Sequence, residues 1–128
     1  MENQDIRVNF LMLCDEAHFD NSNKLNINGV FDQIKAKGFP ALREKLSIVL
    51  QLELPKGNHT QYVRFKKGAW EVRTSDMNVV KEESSQHNVI HNVTNLILPE
   101  AGDYEIEVFV NGSKILYNGY TKFSAIKE

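Results

Sequence analysis

Residues 46–54 read LSIVLQLEL, a stretch in which apolar and polar positions alternate. Successive residues of an extended chain point to opposite sides, so five of the six apolar residues, all but Val49, share one face. Each Leu or Ile buried there contributes about 1.5–3 kcal/mol to stability. The stretch therefore predicts a β-strand that anchors the core. The five apolar residues of that face are Leu46, Ile48, Leu50, Leu52 and Leu54.

Shorter runs of the same character lie on both sides of this strand, separated by polar turns at fairly regular spacing. That spacing is typical of an all-β sandwich or barrel. We predict one domain over residues 1–128, an antiparallel β-sandwich of about seven to eight strands. The other strand candidates are Ile6–Cys14, Leu25–Ile34 with a bulge at Gly29, Tyr62–Arg73, Val79–Val80, Tyr104–Val110, and a returning strand from Lys114 through Tyr120 to Ile126.

Three segments need a local argument. Pro40 favours one short helical turn over residues 39–45, because proline preorganises the first helical position. Tyr62–Arg73 is either one strand bent at Gly68 or a hairpin. Val89–Leu98 has the apolar spacing of a helix, but its Asn and β-branched residues favour a strand. We also expect a polar loop over Asp15–Lys24 and a hairpin turn at Asn111-Gly112.

Composition narrows the classes of function. The chain has 128 residues, a net charge of −2 and one cysteine. Near-balanced charge supplies no long-range field toward nucleic acid or an anionic membrane. The first residues lack the pattern of a signal peptide, no stretch is long enough to span a bilayer, and a lone cysteine fits a reducing interior. The expected location is the cytoplasm, without membrane association.

Three stretches carry a family resemblance. They are NFLMLCD at residues 9–15, KLNINGVFDQIKAKGFPA at residues 24–41 and LPEAGDYEIEVFVNG at residues 98–112. Together they resemble a family of small bacterial proteins of unknown function, and the resemblance covers most of the chain. It implies a compact β-sandwich from a bacterium. It transfers no activity and no functional residue.

Cys14 is the one candidate nucleophile of cysteine type, with Asp15 beside it and His18 four residues on. A reactive thiolate needs a nearby base and partial exposure. Cys14 instead ends an apolar strand, where a small buried side chain is the ordinary role. No phosphate-binding glycine loop or nucleophile elbow is present. We therefore predict that the protein is not an enzyme.

Two groups of residues could begin a metal site. His87 and His91 share a face on a strand or a helix, but a third ligand must come from elsewhere, and two solvated histidines explain the spacing equally well. Carboxylates that could gather around calcium occur in two expected loops, where solubility and turn formation also explain them. We expect no metal and no cofactor. The carboxylates are Asp15, Glu16, Asp20, Glu100 and Asp103.

Basic and aromatic residues interleave along Tyr62–Arg73. Stacking aromatics beside positive charge is the pattern of single-strand nucleic-acid and nucleotide sites, although a strand with a charged outer face gives the same string. The acidic balance of the chain disfavours a large nucleic-acid footprint. The candidate binding residues are Arg64, Lys66, Lys67, Trp70 and Arg73.

These observations predict a non-enzymatic binding or assembly module that acts through its protein surface. The edge strands of an open sandwich can accept a strand of another chain, so a protein partner or self-association is expected. Tyr117 and Tyr120, on the expected last strand, are candidate contact residues. The alternative is a small-ligand, nucleotide or nucleic-acid binder that uses the basic-aromatic strand.

Overall fold

The computed structural model of the chain describes residues 6–119 and 121–128. Every regular element in these residues is a β-strand, which confirms the all-β class. In chain order the strands are β1 (Arg7–Phe19), β2 (Leu25–Phe31), β3 (Gln33–Ala36), β4 (Ala41–Leu54), β5 (Gly57–Lys67), β6 (Trp70–Arg73), β7 (Met77–Lys81), β8 (Ser85–Leu98), β9 (Gly102–Val110), β10 (Ser113–Ile115) and β11 (Lys122–Lys127).

The strands form two sheets. The first has the order β2-β1-β4-β8; the second has the order β3-β11-β9-β5-β6, with β10 beside β9 and β7 beside β5. The chain passes from the first sheet to the second at Asp32, between β2 and β3. Every strand pair is antiparallel except β3 and β11, which run parallel. The expectation of purely antiparallel pairing is therefore wrong at this pair.

The predicted central strand forms the middle of the core. The five apolar residues on the inner face of LSIVLQLEL are at most 1% exposed, and they pack with inward residues of both sheets, including Leu13, Val63 and Tyr104. The other face of β4 is covered as well. Val49 and Cys14 are fully buried in a second, smaller cluster on the outer side of the first sheet.

The first strand is longer than its sequence indicated. The loop expected over Asp15–Lys24 is wrong in its first half, because β1 continues to Phe19 and pairs there with β2. Ala17 supplies a buried apolar position that the polar neighbours conceal in the sequence. The turn itself is confined to residues 20–24, where Asp20 Oδ1 accepts hydrogen bonds from the amides of Ser22 and Lys24, both at 2.9 Å.

Gly29 does not form the expected bulge. The register runs unbroken from Cys14 opposite Val30 to Glu16 opposite Asn28, so no residue is inserted. Glycine is required for a different reason. Its φ is +72°, in the left-handed region, and a Cβ at this position would lie 2.3 Å from Asp15 Oδ2.

The helical turn expected after Pro40 is also wrong. β4 begins at Ala41, and residues 41–45 pair with the far end of β8, from Ala41 opposite Leu98 to Lys45 opposite Thr94. A ladder with β8 gives these residues backbone partners that an isolated helical turn could not provide. The strand signal is weak here because Arg43 and Glu44 interrupt the apolar pattern.

Positive φ values mark the turns of two hairpins. Tyr62–Arg73 is a hairpin of β5 and β6, turning at Gly68 with φ of +58°. Asn111 and Gly112 have φ of +53° and +83° and join β9 to β10. Both values are positive, as the predicted tight hairpin turn requires.

The segment Val89–Leu98 is a strand, as its composition indicated. It belongs to β8, whose register with β4 holds from Leu54 opposite Ser85 to Ala41 opposite Leu98. The buried positions change from odd to even numbers at Asn95, which has φ of +55°. This switch of faces produces the helix-like spacing in the sequence.

The described residues contain eleven strands rather than seven to eight. The surplus comes mainly from strands of three to five residues, namely β3, β6, β7 and β10. Such short elements carry too few positions for a periodic pattern. A helix suited to crossing a membrane does not occur in the part of the chain that the structure describes.

Candidate functional site

The β5–β6 hairpin divides the basic-aromatic residues between two faces. Even-numbered residues of β5 lie on the outer face of the second sheet, and odd-numbered ones face the core. Arg64 is opposite Arg73, and Lys66 is opposite Glu71, so these side chains share the outer face. Lys67 is opposite Trp70 on the inner side. The structure therefore does not bring the five candidate residues together into one patch.

Two cations of the outer face pair with the same carboxylate, that of Glu107. Arg64 Nε donates to Glu107 Oε1 at 2.7 Å, and its guanidinium lies 4.8 Å from the centre of the Phe109 ring. Lys114 Nζ lies 2.9 Å from Glu107 Oε2. Burial would raise the pKa of Glu107, but the hydrogen bonds from Arg64 and Lys114 outweigh it and hold the pKa below its usual value. Hydrogen bonding to Glu107 correspondingly raises the pKa of Arg64.

Arg73 and the neighbouring aromatics are engaged in the same way. Its guanidinium lies 3.7 Å from the centre of the Tyr62 ring and pairs with Asp76. Tyr62 in turn stacks on Phe109, with ring centres 4.8 Å apart. A base would have to displace these contacts in order to stack on either ring.

Trp70 and Lys67 belong to the border of the core. The Trp70 ring is partly buried and meets the fully buried Tyr104 edge to face, with centres 5.2 Å apart. Lys67 Nζ lies 5.8 Å from the centre of the Tyr104 ring and 3.5 Å from Glu100 Oε1. Both side chains pack over Tyr104 and do not form an open platform.

Tyr117 lies in the connection between β10 and β11, not on the last strand, so that expectation is wrong. Its side chain is half-buried against the core. Its hydroxyl lies against Gly119, so closely that a Cβ there would collide with it. Tyr120 lies outside the described residues. β10 ends at Ile115, five residues after Val110, because the exposed Leu116 gives the strand nothing to bury.

Cys14 is enclosed within the first sheet. It is fully buried, and its Sγ donates to the carbonyl of Ser47 at 3.7 Å and to that of Glu16 at 3.5 Å. Burial raises the pKa of the thiol, and the nearby carboxylates add to the effect. His18, the candidate base, contacts Glu16 instead, at 2.9 Å.

His87 and His91 share the inner face of β8, but they are not two solvated histidines. His91 is 4% exposed, and its Nε2 donates to Gln61 Oε1 at 3.0 Å. Burial lowers the pKa of His91 to about 4. Burial, and then Lys81, lowers the pKa of the half-exposed His87. Gln61 is fully buried, and its Nε2 has no hydrogen-bond partner among the described residues.

The carboxylates considered for calcium are spread over separate turns and strands. Asp15 pairs with Arg43 at 2.7 Å, Asp20 caps the β1–β2 turn, and Asp103 accepts from Ser124 at 2.6 Å. Hydrogen bonds to the Lys24 amide and to Ser124 lower the pKa values of Asp20 and Asp103, respectively. Across residues 6–119 and 121–128, no three His, Cys, Asp or Glu residues gather as a metal-binding group.

The free edge of β8 is the surface feature that sequence reasoning missed. β8 pairs with β4 on one side, and on its other side it has no strand partner among the described residues. Lys81 Nζ donates to the Gln86 carbonyl of β8 at 3.3 Å. From residue 87 onward, no side chain of the described residues donates to a backbone carbonyl of β8. Two cavities of about 400 and 470 Å³ lie along residues 87–94 of this strand, and Met77 lines both.

Several exposed apolar side chains border these cavities. Met77 is 38% exposed, Val72 is 39% exposed and Phe19 is 41% exposed. Ile90 lines both cavities from the outer face of β8. The sequence did contain a signal for this surface, because β8 has no Lys, Arg, Asp or Glu in fourteen residues. Its significance depends on β8 being an edge strand, which only the sheet order reveals.

Comparison with models of protein families identifies the family of this chain. The model described as "Family of unknown function (DUF6941)" matches residues 9–117. The chain belongs to this family. The matched range of the DUF6941 chain includes the whole of β8 and the β5–β6 hairpin, and the earlier resemblance to a family of unknown function is confirmed. No curated protein matches it.

Among solved structures, the DUF6941 chain is similar to one titled Pseudomonas fluorescens alkylpurine DNA glycosylase AlkC bound to DNA containing an abasic site analog. The TM-score is 0.56 and the sequence identity is 12%. The match covers 95% of this chain but 30% of that one, so the chain spans about 30% of the glycosylase's length. At this identity the similarity shows a shared fold alone.

Proposed function

We propose that the two sheets of the DUF6941 chain form a single β-sandwich that serves as a non-enzymatic binding module in a bacterial cytoplasm. It binds protein by adding an extended strand to the free edge of β8. The observation that carries the proposal is the length of this edge strand, fourteen residues without one formal charge. Proteins that stay apart usually protect their edges with short strands, Lys, Pro or bulges.

The other edges of the two sheets are less suited to this role. β2 is half as long as β8, and its Gly29 has a φ in the left-handed region. β3 has four residues, and β6 has four residues that include Glu71 and Arg73. A new strand would find few successive backbone partners on any of them.

Strand addition also fits the surroundings of β8. Backbone groups of the edge supply hydrogen bonds, and alternate side chains of an added strand would point to its two sides. Val72 and Met77 border the inner side, and Ile90 lies on the outer side. An incoming strand with apolar residues on both sides would find apolar contacts on each.

A labelled strand tests this proposal. The probe is a fluorescent peptide with the sequence of residues 85–94, SQHNVIHNVT, which is known to adopt a strand in this fold. We expect saturable binding to the protein, measured by fluorescence anisotropy. A control peptide with proline in place of Val89 and Asn92 loses one backbone N–H of each parity, hence a ladder donor whichever set faces β8, and should not bind. Equal binding of both peptides, or no binding at about 100 µM protein, contradicts strand addition.

The second candidate is binding of nucleic acid or a nucleotide by Arg64, Lys66 and Arg73. What supports it is the outer-face position of these cations and the fold shared with a DNA-bound glycosylase. It ranks lower because Arg64 and Arg73 already have carboxylate partners, and Lys66 lies between Glu71 and Glu105.

An oligonucleotide titration separates the two candidates. We expect no binding of a single-stranded oligonucleotide at about 50 mM salt, where phosphate contacts are strongest. Lys66→Glu is the matched variant, since it reverses one charge on the outer face of the second sheet and leaves the residues of β8 unchanged. Tight binding that salt or Lys66→Glu weakens would promote the nucleic-acid candidate.

A further inference from the structure

We infer that the strand added at β8 is β8 of a second copy of this chain, paired antiparallel about Ile90. Two four-stranded sheets would then join into one continuous sheet. This inference rests on the proposed strand addition and names its partner.

The charge of the edge favours a second copy. Two identical strands bring like charges together if they carry any, and this is how Lys-bearing edges prevent self-pairing. β8 carries no formal charge from Ser85 to Leu98. The neighbouring β5–β6 hairpin, in contrast, carries Lys66 and Lys67 at the end of β5, and Glu71 and Arg73 in β6. The edge strand β2 also lacks a formal charge, but it is half as long as β8, so β8 is the longest edge strand without self-repulsion.

The sequence of β8 is complementary to itself when it is read backwards. Residues 87–93 are HNVIHNV, in which the triplet HNV occurs twice around Ile90. An antiparallel copy centred on Ile90 places each histidine opposite a valine on the inner side. On the outer side it places Asn88 opposite Asn92 of the second copy, and Ile90 opposite Ile90.

The two asparagines of the outer side direct their Oδ1 atoms toward β4 of their own chain. Asn88 Oδ1 accepts a hydrogen bond from Gln51 Nε2 at 2.9 Å, and Asn92 Oδ1 accepts one from Ser47 Oγ at 2.7 Å. These contacts fix which end of each amide carries the donors. Each Nδ2, with its two N–H donors, can then donate to an acceptor of the second copy.

Apolar contact would accompany the backbone ladder. Ile90 packs against Cys14, Ala17 and Val49 in the outer cluster of its own sheet. Pairing about Ile90 joins the outer clusters of the two copies. Met77, exposed beside the edge, would cover the incoming strand from the inner side. An antiparallel ladder over residues 86–94 would be about 30 Å long, at 3.4 Å per residue.

Size-exclusion chromatography with light scattering tests the second copy first. The wild-type mass should rise from the 14.7 kDa of one chain toward twice that value as the concentration increases from about 1 to about 100 µM. A strict monomer over this range overturns the inference. A strict monomer that still binds the labelled strand peptide overturns the second copy alone and leaves strand addition in place. A monomer that does not bind the peptide contradicts both.

Two charge variants test the register. Gln86 and Thr94 are exposed and would face each other across the two-fold axis. Gln86→Lys with Thr94→Lys places like charges opposite each other, and we expect dimerisation to weaken at least about tenfold. Gln86→Lys with Thr94→Glu places opposite charges together, so the dimer should persist.

The opposite-charge variant, Gln86→Lys with Thr94→Glu, also fits the sheet within one chain. Gln86 is opposite Glu53, and Thr94 is opposite Lys45, so the second variant gains cross-strand pairs within its own sheet. Circular dichroism confirms that each variant is folded. A dimer that is equally stable in both variants uses another surface, which overturns the inference. If the double-lysine variant does not fold, loss of the dimer in the opposite-charge variant overturns the register.

Discussion

Cys14 illustrates how far a single residue can be understood from its neighbours. Its place at the end of an apolar run indicated a buried side chain, and the structure places it in a cluster that Val49 and Ala17 complete. What the sequence could not reveal is the partner across the sheet. The thiol donates to the carbonyl of Ser47, 33 residues away along the chain.

The thiol should be unreactive in the folded protein. Burial excludes the reagent and raises the pKa of Cys14, so little thiolate is present at neutral pH. We expect slow reaction with a chromogenic disulfide reagent in buffer and rapid reaction in denaturant. Rapid modification of the native protein, without loss of structure, would contradict this assignment.

Gly29 should resist substitution. Gly29→Ala forces an L-residue into the left-handed region and drives a methyl group into Asp15, which pairs with Arg43. The backbone effect alone costs about 1–2 kcal/mol. Gly38→Ala is the matched control, because a Cβ there meets nothing within 4 Å. Denaturant unfolding measures both variants, and an equal effect on the two would be evidence against the close approach at Asp15.

His91 should make stability depend on pH. Its pKa in the folded protein is about 4, whereas that of an unfolded histidine is about 6.5. The folded state therefore binds the proton less readily. Its full contribution to stability is present above pH 6.5 and is lost as the pH falls toward 4, by about 3 kcal/mol in total.

The variant His91→Gln isolates this contribution. Glutamine can still donate a hydrogen bond to Gln61 but does not titrate in this range. Unfolding measured from pH 7 to pH 4 should show a smaller decline in the variant than in the wild type. Identical declines in the two proteins would show that His91 is not the group responsible.

At the scale of elements, the reliability of the sequence pattern depended on length and on tertiary pairing. The second half of β4, from Leu46 to Leu54, and the whole of β9 have an alternating sequence, so their positions were predictable. The Asn111-Gly112 turn was predictable because it needs residues that accept positive φ. β1 beyond Cys14 and β4 before Leu46 were missed, since their neighbours stabilise them and their own side chains do not alternate.

The candidate site shows the same limit. The sequence shows that basic and aromatic residues interleave in the β5–β6 hairpin. Their separation onto two faces, however, depends on the turn at Gly68. β8 was recognised as a strand, yet its edge position depends on the order of four strands from distant parts of the chain. Sheet order is a long-range property that local patterns do not encode.

At the scale of the whole molecule, the two sheets share one core. Leu46 and Leu50 of the first sheet pack in the same cluster as Val63, Tyr104 and Phe123 of the second. Neither sheet can lose its partner without exposing this cluster. We therefore expect one cooperative unfolding transition, with coincident midpoints by circular dichroism and by Trp70 fluorescence. Two separate transitions would contradict a single domain.

Hydrogen–deuterium exchange tests strand addition directly at the backbone amides of β8. In dilute protein, amides of residues 86–94 that point away from β4 should exchange rapidly, because they lack a partner. An added strand, whether the labelled peptide or a second copy at high concentration, should protect these amides and leave β2 and the β5–β6 hairpin unchanged. Protection that appears at another edge, or no change at β8 while a strand is bound, would contradict the proposed function.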